Sequence, residues 1–230
     1  MKSFQDLSNA RKTCRECMCG RPGAKPAKTR LWNGMECGPD PDVVSYWSQW
    51  LGHHNPKLLI VGQDFSNVEY FCKHGGRDHR SSPTNENLWN LLTKAANIAV
   101  GRPPDYDPKP PVFLTNSILC LKDGPMDAPV LDRWIDTCAD KHLSQLKRIL
   151  QPAIVVGMGR GGWRAVRRIF KLDAPEAVTK VAGESWITED GTRVFAVAHC
   201  GPKGRIGRPL PLQESDWRRI GQAFAALPTG

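Results

Sequence analysis

No apolar run in this 230-residue chain approaches the length of a membrane span, which takes about 20 residues. Residues 1–14 are polar and hold no apolar core of signal-peptide length. These two absences argue against a spanning helix and a secretory leader, and predict an intracellular, cytoplasmic protein with no membrane partner; a monomer is expected. Internal repeats and low-complexity tracts are missing too, so neither a solenoid nor a disordered chain is expected. Negative charge is in short supply: 23 Asp and Glu face 32 Lys and Arg, for a net charge of +9. The excess is clustered. Arg160, Arg164, Arg167, Arg168 and Lys171 occupy one stretch and Lys203, Arg205 and Arg208 another, a distribution that suits a polyanion and salt-sensitive binding. Arg167, Arg168 and Lys171 taken alone read as a solvated helix face. Disulfides are not expected in a reducing compartment, so ordered spacing among the eight cysteines points to metal or cluster ligation. Cys37, Cys72 and Cys200 show no such spacing and stay unassigned.

Apolar runs alternating with helical periodicity predict an α/β fold, a three-layer α/β/α sandwich around a mostly parallel four-stranded sheet. Strands are expected at about Lys57–Val61, Val112–Asn116, Ala153–Val156 and from Val194 to His199. Helices are expected at Val43–Trp50, Asn87–Ala99, Ala128–Leu150, a segment ending near Phe170, and Glu214–Leu227. Trp186 to Arg193 reads as a hairpin whose Asp190-Gly191 turn feeds the last strand. One domain spans 1–230, and residues 1–41 form an amino-terminal extension whose Gly-, Pro- and Lys-rich part from residue 18 is expected to be irregular. The polar stretch from Asp64 to Ser82 suits a loop over a site.

Three strand ends deliver chemistry. Gly62-Gln63-Asp64-Phe65-Ser66 places a carboxylate where the first core strand gives way to a loop, the second strand ends on the Asn116 carboxamide, and the fourth on the His199 imidazole. Ligands collect at the carboxyl ends of parallel strands, so these three residues read as one site. Gly62-Gln63-Asp64, Thr115-Asn116 and His199-Cys200-Gly201-Pro202 resemble, in order and spacing, the active-site motifs of the uracil-DNA glycosylase superfamily, over most of the chain. The first motif is similar to that of the main bacterial and eukaryotic uracil-DNA glycosylases, whereas the cysteines and the general layout resemble the iron–sulfur branch.

The resemblance implies a monofunctional glycosylase of base excision repair, a hydrolase that cleaves the N-glycosidic bond of uracil in DNA and leaves an abasic site. Asp64 would orient or deprotonate water for attack at C1′ and stabilise positive charge there, and His199 would donate toward uracil O2. Asn116 can accept from the N3–H of uracil and donate to its O4, a pattern that cytosine reverses. Gly62, Gln63 and Phe65 would line the base pocket. Phe71 or Tyr70 would stack on the base, because His79-Arg80-Ser81-Ser82 stands where the family has an aromatic ring. Ser66, Lys203, Arg205, Ile206 and Arg208 would touch DNA, with Ile206 near a compact loop, Gly201 to Arg205, that fills the gap left by base flipping. Ser66 stands where the Gly-Gln-Asp-Pro-Tyr enzymes have a Tyr that blocks the thymine methyl, so this motif does not explain thymine exclusion. The alternatives are a helix cap for Asp64, a turn residue for Asn116 and a core histidine for His199, and at all three the functional reading is preferred.

Cys14-Arg15-Glu16-Cys17 brings two thiolates close enough to share a metal centre, and Cys120 and Cys138 join them only if the fold converges. The iron–sulfur branch has an early Cys-x-x-Cys, a Cys four residues past the active-site Asn and a Cys in the following helix. Cys120 stands four past Asn116, and Cys138 falls inside the predicted helix. The resemblance thus implies a 4Fe-4S cluster on Cys14, Cys17, Cys120 and Cys138, in a structural role. A structural zinc on the same four thiolates fits the spacing equally, and Cys19 rivals Cys14 or Cys17.

Gly157-Met158-Gly159-Arg160-Gly161-Gly162 satisfies Gly-x-Gly-x-x-Gly between a strand and a helix. It lies in the third strand unit and lacks an acidic partner about 20 residues on, so it reads as a tight turn, with a phosphate contact at the helix terminus as a further option. Two other functions stay open: a noncatalytic nucleic-acid-binding iron–sulfur or zinc protein on the same scaffold, and a nucleotide-binding α/β enzyme that uses this turn. No Lys stands where Schiff-base lyase chemistry would need one.

Overall fold

A computed structural model of the chain describes residues 3–14, 16, 30–32, 35–37, 55–64, 70, 82–101, 111–119, 125 and 128–228. The expected helix at Val43–Trp50 and most of the polar stretch after Asp64 lie outside these residues. Helix α1 (Phe4–Thr13) opens on a reciprocal cap, in which Asp6 N–H donates to Ser3 Oγ at 3.1 Å and Ser3 N–H donates to Asp6 Oδ2 at 3.2 Å. Phe4 and Leu7 are buried, and the Phe4 ring meets Phe113 edge-on at 6.0 Å. The first part of the amino-terminal extension is therefore docked on the core. Strands β1 (Arg30–Trp32) and β2 (Met35–Cys37) pair antiparallel with Trp32 opposite Met35, where an irregular segment was expected. The overlooked signal is Asn33-Gly34 between them, the dipeptide most typical of a two-residue hairpin.

The core is organised by β3 (Leu58–Gly62), β4 (Val112–Asn116) and β5 (Ile154–Met158), each buried at all its positions. Such largely apolar, fully buried runs suit a parallel sheet covered on both faces. With β6 (Ser185–Ile187) and β7 (Arg193–Val197) they form a five-stranded sheet among the described residues, in the order β4-β3-β5-β7-β6. Only β6 is antiparallel. The expected count of four strands is corrected by β6, the first arm of the expected hairpin. It escapes a search for apolar runs because Ser185 and Ile187 are exposed and only Trp186, stacked on Trp163 at 5.0 Å, turns inward.

Helix α2 (Pro83–Asn90) passes into a π-helical turn at Leu91–Ala95, and α3 (Asp132–Cys138) passes through another at Ala139–Leu143 into α4 (Ser144–Leu150). Then come α5 (Gly159–Ile169), α6 (Val178–Val181), α7 (Pro202–Gly207) and α8 (Leu210–Ala225). The segment expected as a loop at Gly201–Arg205 is mostly α7, begun by Pro202 in the first turn, where its fixed φ favours a helix. Among the described residues no helix is long and apolar enough to cross a membrane.

The basic run on α5 is answered by an acidic run on α3 and the turn after it. Arg160 binds Asp132, Arg164 binds Asp136 at 2.7 Å, and Arg168 binds Asp140 at 2.6 Å, each pair 28 residues apart. A constant offset means that α3 and α5 run parallel with their charges in step. Glu176 takes Arg164 and Arg167 at 3.0 and 2.9 Å. The Arg164 hydrogen bond holds the Asp136 carboxyl below its usual value. Arg160, Arg164 and Arg168 thus pair with α3 and the turn after it and Arg167 with Glu176, so much of this basic run is neutralised within the fold, while the Arg160 side chain stays exposed.

Candidate active site

From β3 the chain crosses to β4 on one side and then returns to β5 on the other, so the carboxyl end of β3 is the point of strand reversal where such sheets form their ligand crevice. Gly62 ends β3 directly opposite Asn116, the end of β4. A Cβ on Gly62 would lie 2.5 Å from Asn116 Oδ1, so the missing side chain makes room for the carboxamide. Asn116 is only 4% exposed, and its buried Nδ2 has no hydrogen-bond partner among the described residues. An unmade bond to a buried donor costs about 1–3 kcal/mol, and a ligand carbonyl placed there would recover it.

The turn after β3 is clamped to the continuation of β4. Ser117 N–H donates to Gly62 O at 2.8 Å, while Ser117 Oγ and Ile118 N–H donate to Gln63 O at 2.8 and 3.2 Å. Next along the chain, Gln63 Nε2 donates to Asp64 Oδ2 at 3.2 Å. The carboxylate is thereby held at the crevice.

His199 follows β7, and its Nδ1 accepts the Gly201 N–H at 3.0 Å. That bond leaves the proton of the neutral ring on Nε2. Burial lowers the His199 pKa below 6.5, and the Asp64 charge opposes the shift without reversing it. The imidazole is a neutral donor held near a carboxylate. The neighbouring Cys200 is fully buried, with its Sγ 3.4 Å from Thr84 O, and burial pushes its thiol up to about 12. It is a packing residue rather than a nucleophile.

The segment after His199 is fastened from two sides. Asn87 on α2 donates from Nδ2 to Cys200 O at 2.8 Å and accepts from Arg205 Nη2 at 2.6 Å. On α8, Gln213 Nε2 donates to Arg208 O at 2.9 Å, and Asp216 takes the Arg208 guanidinium at 2.5 and 2.6 Å. A Cβ on Gly204 would fall 1.8 Å from His199 O, so α7 rests its backbone directly on the histidine. Arg205 and Arg208 therefore carry intramolecular contacts, while Lys203 is exposed and Ile206, near the end of α7, is 84% exposed. Sequence reasoning missed Asn87, Gln213, Asp216 and Ser117; their one signal is proximity in three dimensions.

Gly62, Gln63, Asp64, Asn116 and His199 thus gather at the carboxyl end of the sheet. Phe65, Ser66 and Phe71 lie outside the described residues, as do Cys17, Cys19 and Cys120. Of the remaining cysteines expected to bind metal, Cys138 is buried at the end of α3 and Cys14 follows α1. Glu16, inside the Cys14-x-x-Cys17 segment, pairs with Lys141, three residues past Cys138. This ion pair ties the first cysteine segment to the helical run that carries Cys138. Among the described residues no group of three or more metal donors forms.

At the glycine-rich turn, Gly159 faces His199 and Gly161 faces Gln63, so site side chains stand where the dinucleotide fingerprint needs open space for a pyrophosphate. Comparison with curated proteins gives no match. Residues 49–210, which include all three strand-end residues, match the family model described as Uracil DNA glycosylase superfamily, and the chain belongs to that superfamily.

Proposed function

We propose that this protein is a monofunctional uracil-DNA glycosylase that hydrolyses the N-glycosidic bond of uracil in DNA and leaves an abasic site. The observation that carries the proposal is the buried Nδ2 of Asn116, which has no hydrogen-bond partner among the described residues, on a side chain packed against Gly62. Uracil flipped into the crevice satisfies it: O4 accepts from Nδ2 and N3–H donates to Oδ1. Cytosine presents a donor where Nδ2 needs an acceptor, and a site built around buried polar groups rejects such a mismatch by large factors. His199 Nε2–H faces uracil O2 and offsets the negative charge of the departing base. Asp64 orients water and stabilises the cationic sugar, which is electrostatic catalysis by groups in place before reaction.

Ile206 enters the duplex gap while Lys203 and Arg205 lie along the phosphates, and Arg208 holds this segment through Asp216. Cys14, Cys17, Cys120 and Cys138 would hold a 4Fe-4S cluster whose contribution is to pin the amino-terminal segment to the α3 region. The Glu16–Lys141 pair supports that placement. The test is release of free uracil from single-stranded, U·A and U·G oligonucleotides, with hypoxanthine as a comparison. Free base with a strand that stays intact until alkali is added supports the proposal. Strand scission without alkali contradicts the monofunctional part, and no free base under any condition contradicts the whole.

A further inference from the structure

The glycines of the β5–α5 turn divide by what they touch. A Cβ on Gly162 would lie 2.0 Å from Val61 O and one on Gly157 2.8 Å from the Cα of Trp163, so these two serve backbone packing. Gly159 has φ +69° and would meet His199 Cβ at 3.0 Å. Gly161 meets the Gln63 side chain first: its Cβ would fall 2.6 Å from Gln63 Cγ and 3.1 Å from both Cβ and Oε1. The backbone of Gln63 is pinned by Ser117 and Ile118, so only its side chain can yield. That side chain is the one whose Nε2 donates to Asp64 Oδ2.

We infer that Gln63 and Gly161 are positioning residues for Asp64: the bare surface at Gly161 holds the Gln63 amide on the Asp64 carboxylate and fixes the direction in which its other oxygen points. The glycine-rich turn is then a support for the reacting carboxylate. This inference rests on the reading of Asp64 as catalytic, but its structural half is measurable without turnover.

Gly161→Ala drives the Gln63 side chain aside and lets the carboxylate swing. Because small displacements of reacting groups cost large rate factors, Gln63→Ala and Gly161→Ala each slow single-turnover uracil release by about tenfold or more. Gly161→Ala added to Gln63→Ala costs nothing further, since the two act through one contact. Gln63→Glu sets a second carboxylate beside Asp64 and moves the acidic limb of the pH–rate profile to higher pH, which a purely structural role would not do. The activity-independent measurement is the Gln63 side-chain amide signal in a ¹⁵N–¹H spectrum, assigned by its loss in Gln63→Ala. It shifts in both Gly161→Ala and Asp64→Asn. Should Gly161→Ala fail to fold, the Asp64→Asn spectrum and the Gln63→Glu profile decide. An unmoved amide signal overturns the inference whether or not the protein releases uracil, and so do additive rate losses or an unshifted profile in an active enzyme. Inactive wild type with a shifting amide signal overturns only the proposed function.

Discussion

Gly62 and Asn116 face each other across the β3–β4 pair, and the side chain that Gly62 lacks would lie 2.5 Å from Asn116 Oδ1. The Asn116 carboxamide thus depends on a residue with no side chain of its own. Gly62→Ala should displace Asn116 and slow single-turnover uracil release by roughly a hundredfold, on the scale of a misplaced reacting group. Rates close to wild type would mean that Asn116 is not held by this contact.

Arg208 and Asp216 give a prediction about stability. The Asp216 side chain is 1% exposed, so Arg208→Ala leaves a buried carboxylate without its cation, a change that costs about 3–5 kcal/mol. Arg208→Met with Asp216→Leu should recover most of that loss. Ile206→Ala, at an exposed position, should leave stability and the salt dependence of binding alone and slow excision from duplex more than from single strands. Chemical denaturation and paired excision rates check both statements. Equal slowing on the two substrates would remove Ile206 from the wedge role.

His199 ties stability to pH. Its pKa is lowered in the folded protein, chiefly by burial, so the unfolded chain takes up the proton first as the pH falls. The contribution of the neutral ring is therefore fully present above about pH 6.5 and is lost as the pH drops below 6.5 toward the folded value. Denaturation midpoints measured across this window should fall more steeply for wild type than for His199→Gln. Parallel curves would show that His199 is not buried in its neutral form.

The cysteines predict colour. Anaerobically purified protein should be brown, and Cys120→Ala or Cys138→Ala should lower both colour and solubility, because binding at a four-thiolate site is coupled to folding. Lys141→Ala, which breaks the pair with Glu16, should weaken cluster retention while leaving all four thiolates in place. Colourless protein with stoichiometric zinc would replace the iron assignment with a structural zinc.

Much of this architecture is legible in sequence because β3, β4 and β5 each begin on a largely apolar run and are buried at every position. Asp64, Asn116 and His199 are legible for a related reason: each sits at or just past the carboxyl end of such a run. Where exposure alternates, as at Ser185–Ile187, the signal fades. The α1 cap and Asn33-Gly34 were readable but masked by polar or Gly- and Pro-rich surroundings. The pairing of α5 arginines with α3 aspartates cannot be read from charge density, because a basic helix facing solvent and one facing an acidic helix have the same composition. Asn87 meets Cys200 and Arg205 across 113 and 118 residues, and no local pattern announces a contact of that reach.

The most direct test is single-turnover cleavage of a labelled oligonucleotide carrying one uracil, read after alkali, beside a matched cytosine strand and with Asp64→Asn in parallel. The predicted result is a shortened product from uracil alone, formed about a hundredfold or more slowly by Asp64→Asn. An intact uracil strand with wild type, or equal rates for the two proteins, would contradict the account.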